Sequence, residues 1–259
     1  MSVLLQDKQE HITILTLNRP DRMNAMNREL SQALVEAYLD FREDESAWVL
    51  ILTGAGDRAF SAGIDLREND ERARAGLPLV EPKRGYILYD IWSHNLEVWK
   101  PTIAAINGWC LAGGCELACS CDLRIMEEQA QIGLPEIKRG MGARATTTKM
   151  QYIMPFTVGL ELLWVGEPLS AQRAYQLGMI NRVVPQGQAL AESIKLAQSI
   201  CDNAPITVRF QKEMAYRTLG MPWPYAMAYS TRIDPYQSED LLEGSRAFAE
   251  GRKPIWKGR

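Results

Sequence analysis

The sequence predicts an α/β fold, a body of strands and crossover helices followed by a C-terminal helical region. Three features carry this expectation. Short apolar runs rich in β-branched residues alternate with segments of helical apolar spacing, which argues for an α/β sheet over a sandwich or a bundle. Residues 11–53 read strand, helix, strand. After Val184-Pro185 the strand patterns stop and only helical ones remain. The division that follows is a core over residues 1–200 and a helical region over 201–259, packed on the body or on a neighbouring subunit.

His11 to Asn18 alternates β-branched and polar residues before Pro20 and reads as a strand running into a loop. Leu30, Ala33, Leu34, Ala37, Tyr38 and Phe41 recur at helical spacing behind Asn27, a candidate N-cap. Trp48 to Thr53 is a continuous apolar run ending at Gly54, as expected of a strand buried on both faces. A loop at Phe60 to Leu66 leads into a charged stretch, Arg67 to Lys83, that is expected to be mobile, and then a helix-like segment from about Arg84 to Val98. Further strands are expected at Thr102–Asn107, Leu123–Met126 and Ala130–Ile132. In the tail, Leu190, Ile194, Ala197 and Cys201 mark one helix, Ile206, Phe210 and Met214 a second, and Leu241, Leu242, Ser245 and Phe248 a third that Ser238 can cap.

Composition removes several function classes. With 259 residues and 46% apolar content the chain can bury a large core. Twenty-nine basic against 32 acidic side chains give a net charge of −3, and no basic run offers nucleic acid a grip. No stretch approaches the roughly 18 apolar residues that span a bilayer, and the start lacks a secretory h-region, so the expectation is a cytoplasmic protein. Four of the five cysteines lie between Cys110 and Cys121, without CxxC spacing or a histidine close by in sequence; they read as core packing, not as a metal site. His11 and His94 are the only histidines and no GxSxG elbow is present, which disfavours a serine hydrolase.

Two segments resemble loops that expose backbone N–H groups, Phe60-Ser61-Ala62-Gly63-Ile64-Asp65-Leu66 and Leu111-Ala112-Gly113-Gly114-Cys115-Glu116. Paired glycines opening a helix let a ligand approach unsatisfied amide donors, and together the loops could form an oxyanion hole; singly, each also reads as a tight turn. Each such donor is typically worth about 2.7–4 kcal/mol of transition-state stabilisation. Glu116 lies just inside the second loop's helix, where the dipole favours a carboxylate. Glu136 follows Pro135 among apolar neighbours that penalise a charge. Two carboxylates in one site divide acid and base roles when their environments separate their pKa values, but sequence alone does not bring them together.

Asn18-Arg19-Pro20 with Asn24-Ala25, then FSAGIDL, KPTIAAINGWCLAGGCELACSCDLRI, LPEIKRG and LGMINRVVP follow one another between about residues 10 and 186, with a weaker echo in EGSRAFAEGRKP. In order and spacing the chain resembles the crotonase (enoyl-CoA hydratase/isomerase) superfamily. The resemblance implies a spiral of ββα units with a C-terminal helical region, assembled as a homotrimer or homohexamer. It implies an acyl-CoA substrate that brings its own coenzyme A, with no other cofactor and no metal. By motif position, the N–H groups of Ile64 and Gly113 form the oxyanion hole, Glu116 and Glu136 activate water and protonate the α-carbon, and Arg22, Met23, Ala62 and Arg67 lie along the coenzyme. The implied reaction is reversible hydration of a 2-enoyl-CoA. The alternatives are another crotonase-type reaction (isomerase, carnitinyl-type dehydratase, hydrolase or decarboxylase) or a non-catalytic acyl-CoA or RNA-binding paralogue. One departure stands out: the hydratases' Pro-Gly-x-Gly-Gly stretch is replaced by Met141 to Thr147, with Arg144, Thr146 and Thr147 in place of glycines. Facing inward, Arg144 would meet a carboxylate or hydroxyl on the acyl group; facing outward, it only reshapes the loop.

Overall fold

Runs of β-branched and leucine side chains buried on both faces make the frame. In the computed structural model, which describes residues 2–78 and 87–259, β1 (Leu4–Gln9) and β2 (Ile12–Leu17) pair antiparallel. From β2 the large sheet continues in parallel through β3 (Val49–Gly54), β5 (Thr102–Ile106), β7 (Leu123–Glu127) and β10 (Arg182–Val184). A second sheet orders β4 (Ala59–Ser61), β6 (Trp109–Leu111), β8 (Gln131–Gly133) and β9 (Leu169–Ser170), of which only β9 runs antiparallel. Each pair β3/β4, β5/β6 and β7/β8 thus sends its first strand to one sheet and its second to the other, and successive pairs stack as neighbours in both. Helices follow the pairs: α2 (Leu66–Arg74) and α3 (Leu88–Trp92), then α4 (Gly113–Ser120), then α5 (Arg144–Ile153) and α6 (Phe156–Val165). This is the spiral of ββα units expected above.

Strand alternation splits the core in two. Leu15, Leu17, Leu50 and Leu52 pack with Leu30, Leu34 and Phe41 of α1 (Arg28–Glu43), whereas Ile12, Ile14, Val49 and Ile51 pack with Ala189 and Ala197 of α8 (Ala189–Cys201). Burying each such side chain contributes about 1.5–3 kcal/mol. Asn27 caps α1 through a bond from the Leu30 N–H at 3.0 Å. At the other end Lys100 Nζ donates to the carbonyls of Phe41 and Asp44 at 2.6 and 2.7 Å, a cation where the helix dipole is negative. The four clustered cysteines are buried free thiols around α4.

Three expectations change. β1 carries no apolar period, because as an edge strand it exposes nearly every residue, and it was not expected. In the charged stretch Arg67 to Lys83, where no element was expected, the chain is helical over Leu66–Arg74, capped by Asp65, whose carboxylate accepts from the Arg67 and Glu68 amides; its continuation at 79–83 lies outside the described residues. The helix expected over 84–98 shrinks to Leu88–Trp92, since His94 and Glu97 take left-handed φ values of 59° and 52°, and positions 84–86 lie outside the described residues.

Past α7 (Ala171–Gln176) and α8, α9 (Pro205–Arg217) docks on its own chain's body: Lys212 pairs with Asp122 at 2.7 Å, Tyr216 donates to the same carboxylate at 3.0 Å, and Lys212 also reaches the Lys100 carbonyl at 2.9 Å. α10 (Trp223–Met227) and α11 (Glu239–Glu250), the latter capped by Ser238, leave Trp223, Tyr225, Leu242 and Phe248 exposed, as α6 leaves Phe156 and Trp164. Among the described residues no helix is long and apolar enough to cross a membrane.

Candidate active site

Because β4 and β6 are parallel neighbours, the turns that leave them lie side by side. The contact admits no side chain. A Cβ on Gly114 would lie 2.3 Å from the Ser61 carbonyl oxygen, and one on Gly63 would lie 2.8 Å from the Ala112 Cβ and 2.9 Å from the Gly113 nitrogen, with φ at +94° besides. Ala112 holds φ 52°, ψ −128°, a conformation that costs a non-glycine residue about 1–3 kcal/mol. It is fixed there by its N–H bond to the Gly133 carbonyl at 2.9 Å. Strain of this kind persists where the surroundings over-determine it, and here it aims the first turn of α4. The amides of Ile64 and Gly113 donate to no backbone or side-chain acceptor among the described residues, so two free donors sit in adjoining turns, one at a helix N-terminus.

A polar scaffold clamps the Ile64 turn. Arg19 pairs with Asp65 at 2.9 Å, and Asn24 Nδ2 donates to the Ala59 carbonyl at 2.7 Å. Ser61 Oγ donates to the Asn24 carbonyl at 2.8 Å, and Met26 bridges the turn through its N–H to Gly63 O at 2.7 Å. Burial works to raise the Asp65 pKa, but the Arg19 guanidinium and the Glu68 and Arg67 amides hold it below the ordinary carboxylate value.

Glu116 and Glu136 are both buried, and the charge of Glu116 reaches Glu136. The two environments differ. Glu116 sits in the first turn of α4, and its Oε1 accepts from the Ala145 and Thr146 amides, in the first turn of α5, at 2.9 and 3.2 Å. Burial raises its pKa, while those amides and the Lys149 ammonium pull it back. Glu136 lies in the 3-10 turn Pro135–Arg139 after β8, and its Oε2 is buried with no partner among the described residues. Burial, helped by the Glu116 charge and opposed by its own amide and Arg139, pushes it to about 7. Burial therefore raises both carboxyls, but two amides and an ammonium oppose it at Glu116, whereas at Glu136 it prevails with the Glu116 charge beside it.

The structure also gathers three of the expected coenzyme residues. The Ala62 N–H donates to the Met23 carbonyl at 2.9 Å, with Arg22 exposed beside Met23. Arg67 is exposed on the first turn of α2. Arg144 opens α5, exposed, with its guanidinium 5.9 Å from the Tyr89 ring centre. Sequence reasoning missed Asp65 as a cap, although an Asp before a polar helical run is such a signal. It also missed Trp92, whose ring would lie 3.3 Å from a Cβ on Gly113, and Lys149, whose charge works against the burial that raises Glu116; no sequence period marks either.

Residues 7–259 match the family model described as enoyl-CoA hydratase/isomerase. The carnitinyl-CoA dehydratase of Salmonella typhi is 36% identical over 252 residues, covering 95% of this chain and 94% of that protein. Among solved structures, an enoyl-CoA hydratase from Mycobacterium tuberculosis H37Rv superposes with a TM-score of 0.89 at 34% identity, covering 100% of both chains. A probable enoyl-CoA hydratase/isomerase from Mycobacterium abscessus gives 0.88 at 36% identity, again covering 100% of each.

The contact between the turns makes a direct stability test. Gly114→Ala forces a Cβ onto a backbone oxygen and is expected to destabilise by about 1–3 kcal/mol or more in urea unfolding. Gly142→Ala, where a Cβ meets nothing within 4 Å, is expected to stay within about 0.5 kcal/mol. Equal responses would mean that the turns do not touch.

Proposed function

The chain belongs to the enoyl-CoA hydratase/isomerase family, and from that premise we infer that it is an acyl-CoA hydro-lyase that adds water reversibly across the double bond of a 2-enoyl-CoA. The observation that carries this reading is the pair of buried, unequal carboxyls beside two free amide donors.

The reaction proceeds as follows. The thioester oxygen accepts from the Ile64 and Gly113 amides, which draws electron density off the β-carbon. Glu116, ionised, takes a proton from water as the hydroxyl oxygen bonds to that carbon. The electron pair moves to the thioester oxygen as an enolate, stabilised where fixed dipoles need no reorganisation. Glu136, protonated, delivers its proton to the α-carbon as the carbonyl reforms. Water is added across the bond, and the proton now on Glu116 restores Glu136 through solvent exchange. Arg22, Met23, Ala62 and Arg67 are assigned to the coenzyme A moiety, which the substrate supplies, and no separate cofactor takes part. The likeness to a carnitinyl-CoA dehydratase favours a second reading, the same elimination run on a 3-hydroxyacyl-CoA of that type.

The deciding assay is loss of the enoyl-thioester absorbance of crotonyl-CoA with purified protein; no loss, and no dehydration of carnitinyl-CoA, would reject the hydro-lyase. Glu116→Gln and Glu136→Gln are each expected to lower kcat by about 10²–10⁴ with coenzyme A product affinity little changed. Near-normal turnover in either variant would rule out the two-acid mechanism. In the hydration direction kcat/KM is expected to be bell-shaped. Activity is lost on the acid side as Glu116 gains a proton and on the alkaline side, near pH 7, as Glu136 loses one. These limbs belong to the interacting pair, and a profile flat from pH 5 to 9 would contradict it.

The exposed Phe156, Trp164, Trp223, Tyr225 and Phe248 are assigned to contacts between copies in a homotrimer or homohexamer. Light scattering is expected to give a mass of three or six chains, and a single-chain mass at micromolar concentration would overturn the assignment.

A further inference from the structure

α5, whose first-turn amides hold Glu116, also carries a cation that the hydration mechanism leaves unused. Lys149 is one turn beyond Ala145 on α5 and therefore on the same face as the amide that holds Glu116 Oε1. Its side chain is half-buried, and its Nζ donates at 2.6 Å to the carbonyl oxygen of Trp92, the last residue of α3. No ion pair of Lys149 with a carboxylate occurs among the described residues, and burial pulls the ammonium down to about 8. A charge taken out of water in this way is expensive unless something in the fold uses it.

Two uses converge. The groups whose charge or titration couples to the ammonium are Glu116 and Cys119 from α4, Cys121 and Asp122 from the turn after it, Arg124 from β7, and His94 from the turn after α3. Of these, Asp122 is already paired with Lys212 and hydrogen-bonded by Tyr216 from α9. The thiols are buried and His94, pushed down to about 3, is neutral. Glu116 is thus the carboxylate of this group on which no other cation acts among the described residues. The second use runs through Trp92. Helix ends leave carbonyls unsatisfied, and Lys149 takes one at the end of α3. The indole of that same residue lies against Gly113, with ring carbons 3.3 Å from where a Cβ would stand. One ammonium therefore ties the wall over the Gly113 amide to the helix that cradles Glu116.

We propose that Lys149 is a positioning residue for the hydration, its ammonium facing Glu116 with a fixed positive charge while its bond to the Trp92 carbonyl holds the indole over Gly113. This rests on the hydro-lyase reading above. The two parts are separable by substitution: Lys149→Gln keeps a donor for the Trp92 carbonyl but removes the charge, and Lys149→Arg keeps both.

The test is the pH profile of kcat/KM with crotonyl-CoA for the wild type and both variants. In Lys149→Gln the acid limb is expected to move up by about half to one pH unit, with activity below that limb falling about 3–10-fold and KM at pH 7 little changed. Lys149→Arg is expected to return the limb to its wild-type position. A merely structural lysine would lower activity without moving the limb. An unmoved limb in Lys149→Gln, or a limb that Lys149→Arg fails to return, would overturn the proposal. If wild-type protein does not hydrate crotonyl-CoA, the reaction assigned above is what has failed. The lysine is then judged by carbon-13 NMR titration of the Glu116 carboxyl, where an upward shift in Lys149→Gln upholds its action on Glu116 and no shift rejects it.

Discussion

Gly63 and Gly114 allow the turn after β4 to lie against the turn after β6, closer than any side chain permits, and the site is assembled around that contact. The second sheet brings the turns level, and the missing Cβ atoms let them touch. Ala112 absorbs the remaining misfit in a strained conformation. Once the contact is made, the first amide of α4 and the amide of Ile64 lie in adjoining turns without a partner among the described residues. The Arg19–Asp65 pair and the Asn24–Ser61 bonds then hold one turn, while the Ala112–Gly133 bond holds the other. The donors are costly to leave bare and costly to move, which is the combination that electrostatic preorganisation requires.

The same contact sets the acids. Running α4 inward from Gly113 buries Glu116 one turn later, against the N-terminus of α5, whose amides and lysine favour its carboxylate. Glu136 reaches the neighbourhood from the next ββα unit and finds no such donors on Oε2 among the described residues, so burial governs it. Burial raises both carboxyls, and the amides and lysine beside Glu116 oppose that rise, so two identical side chains become unequal. The division follows from which helix ends point at which carboxyl.

Much of this was legible in the chain, and the exceptions have physical causes. β2, β3, β5 and β7 announce themselves as short apolar or β-branched runs buried on both faces and α1 by its periodic apolar face, and Asn27 and Ser238 act as the caps they resemble. β4 and β6 are three residues long, too short to show a period, although the two glycine-dependent turns leave from them. α2 has almost no apolar residue and is recognisable only from its Asp65 cap. The glycines and the two glutamates stood out through ordered motifs, but that they meet depends on the stacking of successive ββα units, which no local pattern encodes. Lys149 lies beside three threonines with no apolar period to mark it; the packing of α3 and α5 on α4, with the bond from Lys149 to the Trp92 carbonyl, turns it inward.

The central claim is that two glycine-dependent turns present both amides to one thioester oxygen, and the carbonyl stretch of a bound thioester reports it directly. Isotope-edited infrared spectra of crotonyl-CoA on the Glu116→Gln/Glu136→Gln double variant, which binds without turning over, are expected to show the C=O band lowered relative to free crotonyl-CoA. Adding Gly63→Ala, which drives a Cβ toward the Gly113 nitrogen, is expected to abolish the lowering. A bound band at the free frequency in the double variant, or one still lowered after Gly63→Ala, would contradict the account.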